Sequence, residues 1–374
     1  MDYAFLMKPA LREMPAYRGF LSVKDVMEKF SLDSVIRMAA NENQFGPSPV
    51  AMEAAREAMP SVYLYPDRAP ALVEAICEKY GPKPENVVLS GGATGVINLI
   101  GDVFVDSGEE IVMSSIPYHQ YPLMAKRLGA TAVAVPVKTD LSQDLEGMLG
   151  AITEKTKLIM ICNPGNPTSI AENSEALEAF IRRVPERVLV MIDEAYLDFV
   201  DDPLKSRSMI PLVQEIPNLI VVRTFSKLYG MAGMRVGFMV ANPDIVSCIN
   251  RGATVGNVSQ LSLVAATAAL RDSAHEKLVF EGVREGRKYL TDVLESCGFH
   301  VFPSGTNFLY FDTGLDVDGM MTELLKRGII IRNFAYNRVS IGTPEQNERF
   351  ARAITEIVHS GVLTPRAEMA VANA

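Results

Sequence analysis

The stretch Asn218-Leu-Ile-Val-Val-Arg-Thr-Phe-Ser-Lys227 decides the fold: an apolar, β-branched run that ends in a lysine. Such a run predicts a buried strand. Open α/β sheets place their chemistry just beyond the carboxyl ends of strands, which is where Lys227 falls. Arg235 follows eight residues later. Burial and a nearby cation both disfavour a charged amine, so Lys227 is expected to react with an aldehyde more readily than a surface lysine. Taken alone, the pattern is more typical of a surface lysine.

Strand-like and helix-like segments alternate through most of the chain. Most strand-like runs are apolar on both faces, and helix-length segments such as 95–105 and 174–183 separate them. This pattern is typical of an α/β domain whose mostly parallel sheet is covered by helices on both sides. The seven runs expected in this sheet are residues 86–90, 110–114, 131–137, 157–162, 188–193, 219–223 and 236–240.

The pattern changes towards the C-terminal end and predicts a second, smaller α+β domain. We expect an N-terminal arm that also supplies part of the small domain in 1–44, a large domain in 45–272, and the rest of the small domain in 273–374. A long amphipathic helix is expected at 273–296, and the tail, 364–374, is expected to be frayed. The shorter elements are strands at 307–312, 329–332 and 338–342 and helices at 317–327 and 344–358.

Composition and charge exclude several classes of function. The 374 residues carry a net charge of −9, which argues against nucleic acid or an anionic membrane as the main partner. The longest apolar stretches have strand length, so no transmembrane helix is expected, and the first residues lack a signal-peptide pattern. The four cysteines and four histidines are scattered, so we expect a cytoplasmic protein with reduced thiols and no metal site.

Four polar segments end or follow predicted strands and could meet at one edge of the sheet. The first, Leu89-Ser-Gly-Gly-Ala-Thr-Gly95, is a glycine-rich turn into a helix, whose free backbone N–H groups favour an anion. The second, Asn163-Pro-Gly-Asn-Pro-Thr168, is a rigid loop that would hold the Asn166 amide in place. Taken alone, the first is more often a turn without a ligand, and the second can be a simple turn.

The other two segments carry the charged groups. Met191-Ile-Asp-Glu-Ala-Tyr196 places Asp193 at the end of an apolar strand, where a carboxylate needs a buried cationic partner. A core aspartate that caps a local turn is an equally good interpretation of that segment alone. Thr224-Phe-Ser-Lys227 and Arg235 supply two hydroxyls and a guanidinium suited to phosphate.

Together these segments describe one ligand, with a lysine for an aldehyde, a carboxylate for a ring nitrogen, Asn and Tyr for a ring oxygen, and a phosphate site. Pyridoxal phosphate (PLP) has all four groups. With these motifs the chain resembles the fold-type I PLP-dependent aminotransferases, and within them the histidinol-phosphate aminotransferase branch. The resemblance implies an aspartate-aminotransferase-like fold. It runs from Tyr17 to about Val358 and includes Met38-Ala-Ala-Asn-Glu-Asn43, Gly46-Pro-Ser-Pro49, Leu64-Tyr-Pro-Asp67, Pro303-Ser-Gly-Thr-Asn-Phe308 and Arg338-Val-Ser-Ile-Gly-Thr343.

The resemblance implies a role for each matching residue at the cofactor. Lys227 matches the lysine that forms a Schiff base with PLP and later moves the substrate proton. Asp193 matches the carboxylate that keeps the pyridine nitrogen protonated. Asn166 and Tyr196 match the pair that binds the ring oxygen, and Tyr118 matches the aromatic that stacks on the ring, although a simple packed aromatic is as good an interpretation. The remaining cofactor-binding positions are Gly92, Ala93, Thr94, Thr224, Ser226 and Arg235 at the phosphate, and Tyr65 from a neighbouring subunit.

The resemblance also implies the substrate contacts and a homodimer with shared sites. Arg338 matches the arginine that binds a substrate α-carboxylate, and Arg332 matches an arginine that meets the substrate phosphate in histidinol-phosphate enzymes. Histidinol phosphate has no α-carboxylate, so both arginines would serve its phosphate. Tyr17 falls in the region that lines the substrate opening, and Asn166 is expected to contact the substrate as well as the cofactor. A dimer is implied because Tyr65 would complete the phosphate site of its neighbour.

Some positions depart from the family pattern. Gly165 stands where Asn is usual, and Ser169 stands where Gly is usual. The turn 91–95 lacks the usual acidic residue, and the connection between Arg332 and Arg338 is shorter than in most relatives. These departures affect the substrate side more than the cofactor.

The expected activity is amino-group transfer between histidinol phosphate/imidazole acetol phosphate and the pair glutamate/2-oxoglutarate. Two alternatives stay open: an aromatic amino acid aminotransferase, and a PLP decarboxylase similar to the threonine-phosphate decarboxylases. An aminotransferase-like regulator is disfavoured, because only about forty residues precede Met38 and they are not strongly basic. The expected partners are small amino and keto substrates.

Overall fold

A seven-stranded sheet forms the framework of the larger part of the molecule. In the computed structural model, which describes residues 3–12, 14, 21–67, 69–253 and 257–366, its strand order is β2-β8-β7-β6-β5-β3-β4. The strands are β1 (Ile36–Arg37), β2 (Val87–Ser90), β3 (Glu110–Ser114), β4 (Thr131–Val135), β5 (Thr156–Cys162), β6 (Leu189–Asp193), β7 (Leu219–Thr224), β8 (Gly237–Ala241), β9 (His300–Val301), β10 (Phe308–Asp312), β11 (Ile329–Ile330), β12 (Arg332–Asn333) and β13 (Asn337–Ser340).

Helices cover both faces of this sheet and build much of the rest of the molecule. The α-helices are α1 (Pro9–Arg12), α2 (Val23–Phe30), α3 (Pro49–Ala58), α4 (Pro70–Tyr80), α5 (Gly92–Phe104), α6 (Gln120–Leu128), α7 (Leu145–Gly150), α8 (Ser174–Arg183), α9 (Pro243–Gly252), α10 (Gln260–Leu270), α11 (Ser273–Ser296), α12 (Val317–Lys326) and α13 (Pro344–Ser360). Short 3-10 helices lie at Ala4–Leu6, Met59–Ser61, Pro84–Asn86, Leu197–Phe199, Ile210–Gln214 and Ala232–Met234.

The direction of the strands confirms the predicted mostly parallel sheet. Strands β3 to β7 pair in parallel, and β8 runs antiparallel to both of its neighbours, β7 and β2. Successive side chains of β7 point to opposite faces of the sheet, and both faces are buried, which is why residues 219–222 are all apolar. Leu219 and Val221 pack into the core on one side of the sheet, and Ile220 and Val222 pack into the core on the other side.

Both ends of the described chain contribute to the smaller α+β part. Its antiparallel sheet has the order β12-β13-β10-β9, and the N-terminal strand β1 pairs in parallel with β11. Ile36 and Arg37 therefore lie beside Ile329 and Ile330, more than 280 residues further along the chain. The two helices α11 and α13 pack against each other beside this sheet.

Several element boundaries differ from those expected. Helix α5 begins at Gly92 rather than at 95, so Gly92, Ala93 and Thr94 lie in the first turn of the helix rather than in the turn before it. The run expected as one strand at 329–332 divides into β11 and β12, which pair with different partners.

The beginning of the C-terminal tail is anchored, so the prediction that it is frayed from residue 364 is wrong for 364–366. Pro365 forms a β-bridge with Leu315, and Arg366 donates to both carboxylate oxygens of Asp312 at 2.9 Å. The Arg366 guanidinium also lies 5.1 Å from the ring of Tyr336. Polarity alone could not reveal a partner that lies so far away in the sequence.

Candidate active site

One cavity of about 530 Å³ lies at the carboxyl ends of β5, β6 and β7 and extends to the small sheet. It brings together most of the site residues predicted from the sequence. Those that line it are Ala93, Thr94, Tyr118, Asn166, Asp193, Tyr196, Thr224, Ser226, Lys227, Arg235, Arg332 and Arg338. The other lining residues are Met14, Ala40, Asn41, His119, Leu123, Cys162, Ala195, Ala232 and Phe334.

The Lys227 amine points into this cavity from the loop after β7. Its Nζ donates to the backbone carbonyl oxygens of Ala40 and Asn41 at 3.2 and 3.0 Å. Burial, followed by the positive charges of Arg338 and Arg235, lowers the pKa of Lys227 to about 8. An amine with this pKa is deprotonated in a sizeable fraction of molecules near neutral pH, which suits nucleophilic attack on an aldehyde. The lowered pKa was expected from burial and Arg235, but the larger contribution of Arg338 was not.

Asp193 ends β6 as a buried carboxylate without a cationic partner. Its Oδ2 accepts a hydrogen bond from the Tyr121 hydroxyl at 3.0 Å, and its Oδ1 accepts one from the backbone N–H of Ala195 at 3.1 Å. Burial raises the pKa of Asp193 to about 6 despite these hydrogen bonds and the charge of Lys227. Within the described residues no Lys, Arg or His forms an ion pair with it. A buried carboxylate of this kind fits a protonated ring nitrogen.

Tyr196 and Asn166 meet over the same cavity. The Tyr196 hydroxyl oxygen accepts hydrogen bonds from the side-chain amides of Asn41 and Asn166 at 3.1 and 3.3 Å. The other end of the Asn166 amide, Oδ1, accepts from Arg338 Nη1 at 2.5 Å. Asn166 is therefore held from both ends, in an orientation that leaves amide and hydroxyl protons available to a ligand oxygen.

The two departures in the Asn166 loop have a local explanation. A Cβ on Gly165 would lie 2.3 Å from the Thr168 hydroxyl, so a larger residue here would require the Thr168 side chain to shift. Ser169 adopts a positive φ of 64°, and its hydroxyl donates to the carbonyl oxygens of Thr168 and Pro303. Those bonds stabilise a left-handed backbone that glycine would adopt more readily.

One end of the cavity is suited to an anion, because it combines a helix N-terminus with a guanidinium. Ala93 and Thr94 lie in the first turn of α5, where backbone N–H groups have no partner within the helix. Arg235 Nη1 lies 3.3 Å from the Ser226 hydroxyl oxygen, which also accepts from the Thr224 hydroxyl at 3.0 Å. Together, hydroxyls, a guanidinium and a helix N-terminus form a donor set suited to a phosphate.

Gly92 does not line the cavity but packs against the Arg235 guanidinium at this end. A Cβ added to Gly92 would lie only 2.5 Å from Arg235 Nη2. The residue also has a positive φ of 78°, which favours glycine. Gly92 therefore leaves the space that the Arg235 guanidinium occupies.

Arg338 and Arg332 form the opposite end of the cavity. They are direct cross-strand partners on β13 and β12, so their side chains project from the same face. Arg338 is 6% exposed, and its Nη2 donates to the carbonyl oxygen of Ala39 at 2.8 Å. Its Nε is buried and has no hydrogen-bond partner among the described residues. Burial, together with Arg332, lowers the pKa of Arg338 to about 10. Phe334 lies between the two arginines, with its ring 5.0 and 6.0 Å from their guanidinium carbons.

One further predicted residue, Tyr65, is not part of this cavity. It is 92% exposed, in a segment where Tyr63 and Leu64 are also exposed. Tyr17 lies outside the described residues.

Several groups that contact the predicted residues were not predicted from the sequence. Asn41 lies in a segment that carries the resemblance but was given no role. Tyr121 lies in the first turn of α6, three residues after Tyr118, which precedes the helix. His119 lines the rim, where burial and the charges of Arg332 and Arg338 lower its pKa. Tyr121 belongs to the same segment Pro117-Tyr-His-Gln-Tyr121 as Tyr118, and this closeness in sequence was the signal that could have identified it.

The donor set fits the cofactor implied by the resemblance. The cavity has a reactive amine, an unpaired buried carboxylate and an anion site, and each is aimed into one space. Within the described parts of the chain, no group of His, Cys, Asp or Glu could hold a metal ion. Across the same residues, no helix is both long and apolar enough to pass through a membrane.

Comparison with known proteins identifies the class that this fold and site define. The model of the family "Aminotransferase class I and II" matches residues 33–354. The chain therefore belongs to the class I and II aminotransferases, which confirms the predicted family.

Individual relatives make the resemblance more specific. The chain is 38% identical to a histidinol-phosphate aminotransferase of Moorella thermoacetica, over 94% of this chain and 92% of that protein. The solved structure of Sinorhizobium meliloti histidinol-phosphate aminotransferase in complex with pyridoxal-5'-phosphate is similar with a TM-score of 0.88 and 28% identity, covering 95% of this chain and 98% of that one. Thermus thermophilus aspartate aminotransferase with maleate shares the fold, with a TM-score of 0.79 and 23% identity over 93% and 99% of the two chains. The predicted aspartate-aminotransferase-like fold is thus confirmed.

Proposed function

We propose that this chain is a PLP-dependent aminotransferase that exchanges an amino group between histidinol phosphate/imidazole acetol phosphate and glutamate/2-oxoglutarate. The observation that carries the proposal is the shared cavity of Lys227, Asp193 and Arg235, with a further pair of arginines opposite. The curated and solved relatives named histidinol-phosphate aminotransferase support it.

Each part of PLP has a matching group in the cavity. Lys227 would take the aldehyde, Asp193 the ring nitrogen, and Tyr196 with Asn166 the ring oxygen. The phosphate would be bound by the first turn of α5 with Thr224, Ser226 and Arg235, and Tyr118 would cover one face of the ring. When bound, PLP supplies a positively charged ring that withdraws electrons from the bond being broken at the substrate.

The protein's own groups control where protons lie. Lys227, with its pKa lowered to about 8, can accept a proton and return it at an adjacent atom. Asp193 is buried, so it favours a cation beside it and keeps the ring nitrogen protonated. Tyr121 holds the Asp193 carboxylate in the orientation that this contact needs.

The opposite end of the cavity favours anionic substrates. Arg338 and Arg332 can share one phosphate, or Arg338 can bind a carboxylate in a bidentate pair. Within the described residues Arg332 makes no ion pair, so its charge is available at the rim. Phe334 and His119 add a flat apolar wall and a polar ring beside the arginines. This combination suits a substrate with an anionic group and a planar side chain.

We also propose an active homodimer in the cytoplasm, with the domain division at residues 44 and 272. Asp272 lies just before α11, where it caps the helix that begins the second part. Tyr65 is 92% exposed beside other exposed apolar residues, which supports contact with a second subunit. Sedimentation equilibrium would reject the dimer if the active protein stayed monomeric at assay concentrations.

The proposal is tested by spectroscopy and substrate profiling on the purified protein. Loaded protein should absorb visible light, and borohydride should attach the cofactor irreversibly to Lys227, as located by peptide mass mapping. Lys227→Ala should lose this attachment, whereas Lys157→Ala, a half-exposed lysine paired with Glu109, should retain it. Attachment that persists in Lys227→Ala would refute the lysine assignment.

The second substrate is decided by comparing histidinol phosphate with phenylalanine and tyrosine as amino donors to 2-oxoglutarate. We expect the highest kcat/KM for histidinol phosphate. A preference for the aromatic amino acids would reject the substrate assignment and retain the aminotransferase. Release of CO2 without formation of a keto product would reject transamination itself.

A further inference from the structure

Asn41 is a buried residue that joins the small sheet to the centre of the cavity. It is 1% exposed, lines the cavity and has a left-handed backbone with φ of 55°. Its carbonyl oxygen accepts hydrogen bonds from Lys227 Nζ at 3.0 Å and from the Asn307 amide at 3.1 Å. A non-glycine residue in this conformation is uncommon and calls for a compensating contact.

The orientation of the Asn41 amide is fixed by Ser340 on β13. The backbone N–H of Asn41 donates to the Ser340 hydroxyl oxygen at 2.9 Å, so the hydroxyl proton is free to point elsewhere. That hydroxyl donates to Asn41 Oδ1 at 3.2 Å. Because Oδ1 is engaged there, the Asn41 NH2 group faces Tyr196.

The hydrogen bonds that the Tyr196 hydroxyl oxygen accepts then determine whether this hydroxyl can act as a donor or as an acceptor towards a ligand. Its oxygen accepts from Asn41 Nδ2 at 3.1 Å and from Asn166 Nδ2 at 3.3 Å, so both acceptor positions are used. Within the described residues its own proton has no acceptor. Among the described residues, the hydrogen bond that remains for Tyr196 to make is one that donates into the cavity.

We propose that Asn41 is a positioning residue that makes Tyr196 an obligate donor to the ring oxygen of the cofactor. This inference rests on the proposed function, because it names the oxygen that receives the proton. Asn41 touches the same Lys227 amine through its carbonyl, so one residue orients both the tyrosine and the lysine. Its link to Ser340 ties this arrangement to the strand that carries Arg338.

The physical consequence is a lower proton affinity of the Lys227–cofactor linkage. A hydrogen-bond donor at the ring oxygen would stabilise negative charge on that oxygen. The deprotonated form of the linkage would then be favoured, because the oxygen would attract the proton of the linkage nitrogen less strongly. Without Asn41, Tyr196 can rotate its proton away from the cavity, towards the vacated space. The pKa of the linkage, read from the visible absorption band, should therefore rise.

Three substitutions separate the side chain of Asn41 from its backbone. Asn41→Gly keeps the left-handed conformation and removes the amide, so the spectroscopic pKa should rise by about 0.4 to 1 unit, the equivalent of one neutral hydrogen bond. Asn41→Ala should show the same spectroscopic shift and an additional loss of thermal stability, because Cβ disfavours a positive φ. Asn41→Asp should raise the pKa further, because a carboxylate would take the Tyr196 proton and add negative charge.

A matched control is Asn86→Gly, which also removes a buried, hydrogen-bonded asparagine. Asn86 is 1% exposed and donates to the carbonyl oxygen of Ala241, away from the cavity lining. It should lower stability and leave the spectroscopic pKa of the bound cofactor at the wild-type value. A shift of equal size in Asn86→Gly and Asn41→Gly would overturn the inference.

The outcomes also distinguish this inference from the proposed function. If the wild-type protein shows no visible band with PLP, the proposed function fails. If the wild-type band is present and titrates, but Asn41→Gly and Asn41→Asp titrate at the wild-type pH, only the role of Asn41 is overturned. Thermal melting of each variant without cofactor identifies any variant that fails to fold, and Asn41→Gly is expected to fold because its backbone is unstrained.

Discussion

Replacing Arg338 with alanine tests the substrate end of the cavity most directly. This guanidinium is 6% exposed and donates to Asn166 Oδ1 and the Ala39 carbonyl oxygen, and its Nε has no partner in the described part of the chain. An unpaired buried donor beside a cavity is what an anionic ligand would satisfy. Arg338→Ala removes this donor and leaves the cavity otherwise open.

The expected effect follows from the kind of interaction that is lost. A hydrogen-bonded contact to a charged group contributes roughly 1.5–3 kcal/mol, and the upper value corresponds to about 100-fold or more in KM. We expect the upper value, because burial excludes the water that would weaken the pair. Arg332 is exposed at the rim, so Arg332→Ala should raise KM by a smaller factor.

Loss of activity in Arg338→Ala should not come from unfolding. Folding lowers the pKa of Arg338 to about 10, so burying the charged guanidinium lowers the stability of the folded protein at neutral pH. This penalty decreases only when the pH rises above about 10. Removing Arg338 abolishes this penalty at neutral pH, which raises the free energy of unfolding. The loss of its two hydrogen bonds lowers the free energy of unfolding by about 1 kcal/mol each, in the opposite direction. We therefore expect a Tm within about 4 °C of the wild type.

The assay is steady-state kinetics with histidinol phosphate and with glutamate, beside Arg352→Ala as a control. Arg352 is an exposed arginine of helix α13 that pairs with Glu348. It should show wild-type KM values. An unchanged KM for both substrates in Arg338→Ala would mean that Arg338 is structural and that the reasoning is wrong.

Three further perturbations test the cofactor end. Without cofactor, Lys227 has a pKa of about 8, so its modification by an amine-selective reagent should reach half its maximum rate near pH 8; an inflection near 10.5 would contradict its burial. The pKa of Asp193 is raised to about 6, so ionisation of this buried carboxyl destabilises the cofactor-free protein as the pH rises from 4 through 6. The free energy of unfolding should fall by at most about 3 kcal/mol over this range. Asp193→Asn should therefore melt higher than the wild type at pH 7 and equally at pH 4, and a lower Tm at pH 7 would reject this. Gly92→Ala should push Arg235 out of place and weaken PLP binding at least about tenfold, because one charged hydrogen bond is worth roughly that much. Gly108→Ala has a similar positive φ and open space around it, so an equal loss of affinity there would point to backbone strain alone.

The strands and helices could be predicted because their signals are local. Helices α8 and α11 begin and end where expected, since capping and apolar periodicity lie within each segment. Strands β3 and β7 were predicted within one residue, because a strand buried on both faces must be apolar throughout. The convergence of Asn166, Asp193 and Lys227 followed from the rule that parallel strands end at one edge.

The rest could not be predicted because it depends on contacts between distant segments. Asn41 reaches Lys227 across 186 residues, and Arg338 reaches Asn166 across 172. Neither separation leaves a periodic signal in the sequence. The tail is a similar case, since Arg366 meets Asp312 across 54 residues.

The charges around the cavity have a consequence for how ligands reach it. Four cationic side chains line the cavity, Lys227, Arg235, Arg332 and Arg338, against the single carboxylate of Asp193, although the whole chain carries −9. A negatively charged metabolite is thus repelled at long range and attracted once it is near the opening. Salt at physiological strength screens fields beyond about 8 Å, so it weakens the distant repulsion more than the attraction inside the cavity. An acidic exterior with an electropositive interior can thereby admit small anions and turn away polyanions too large to pass the rim.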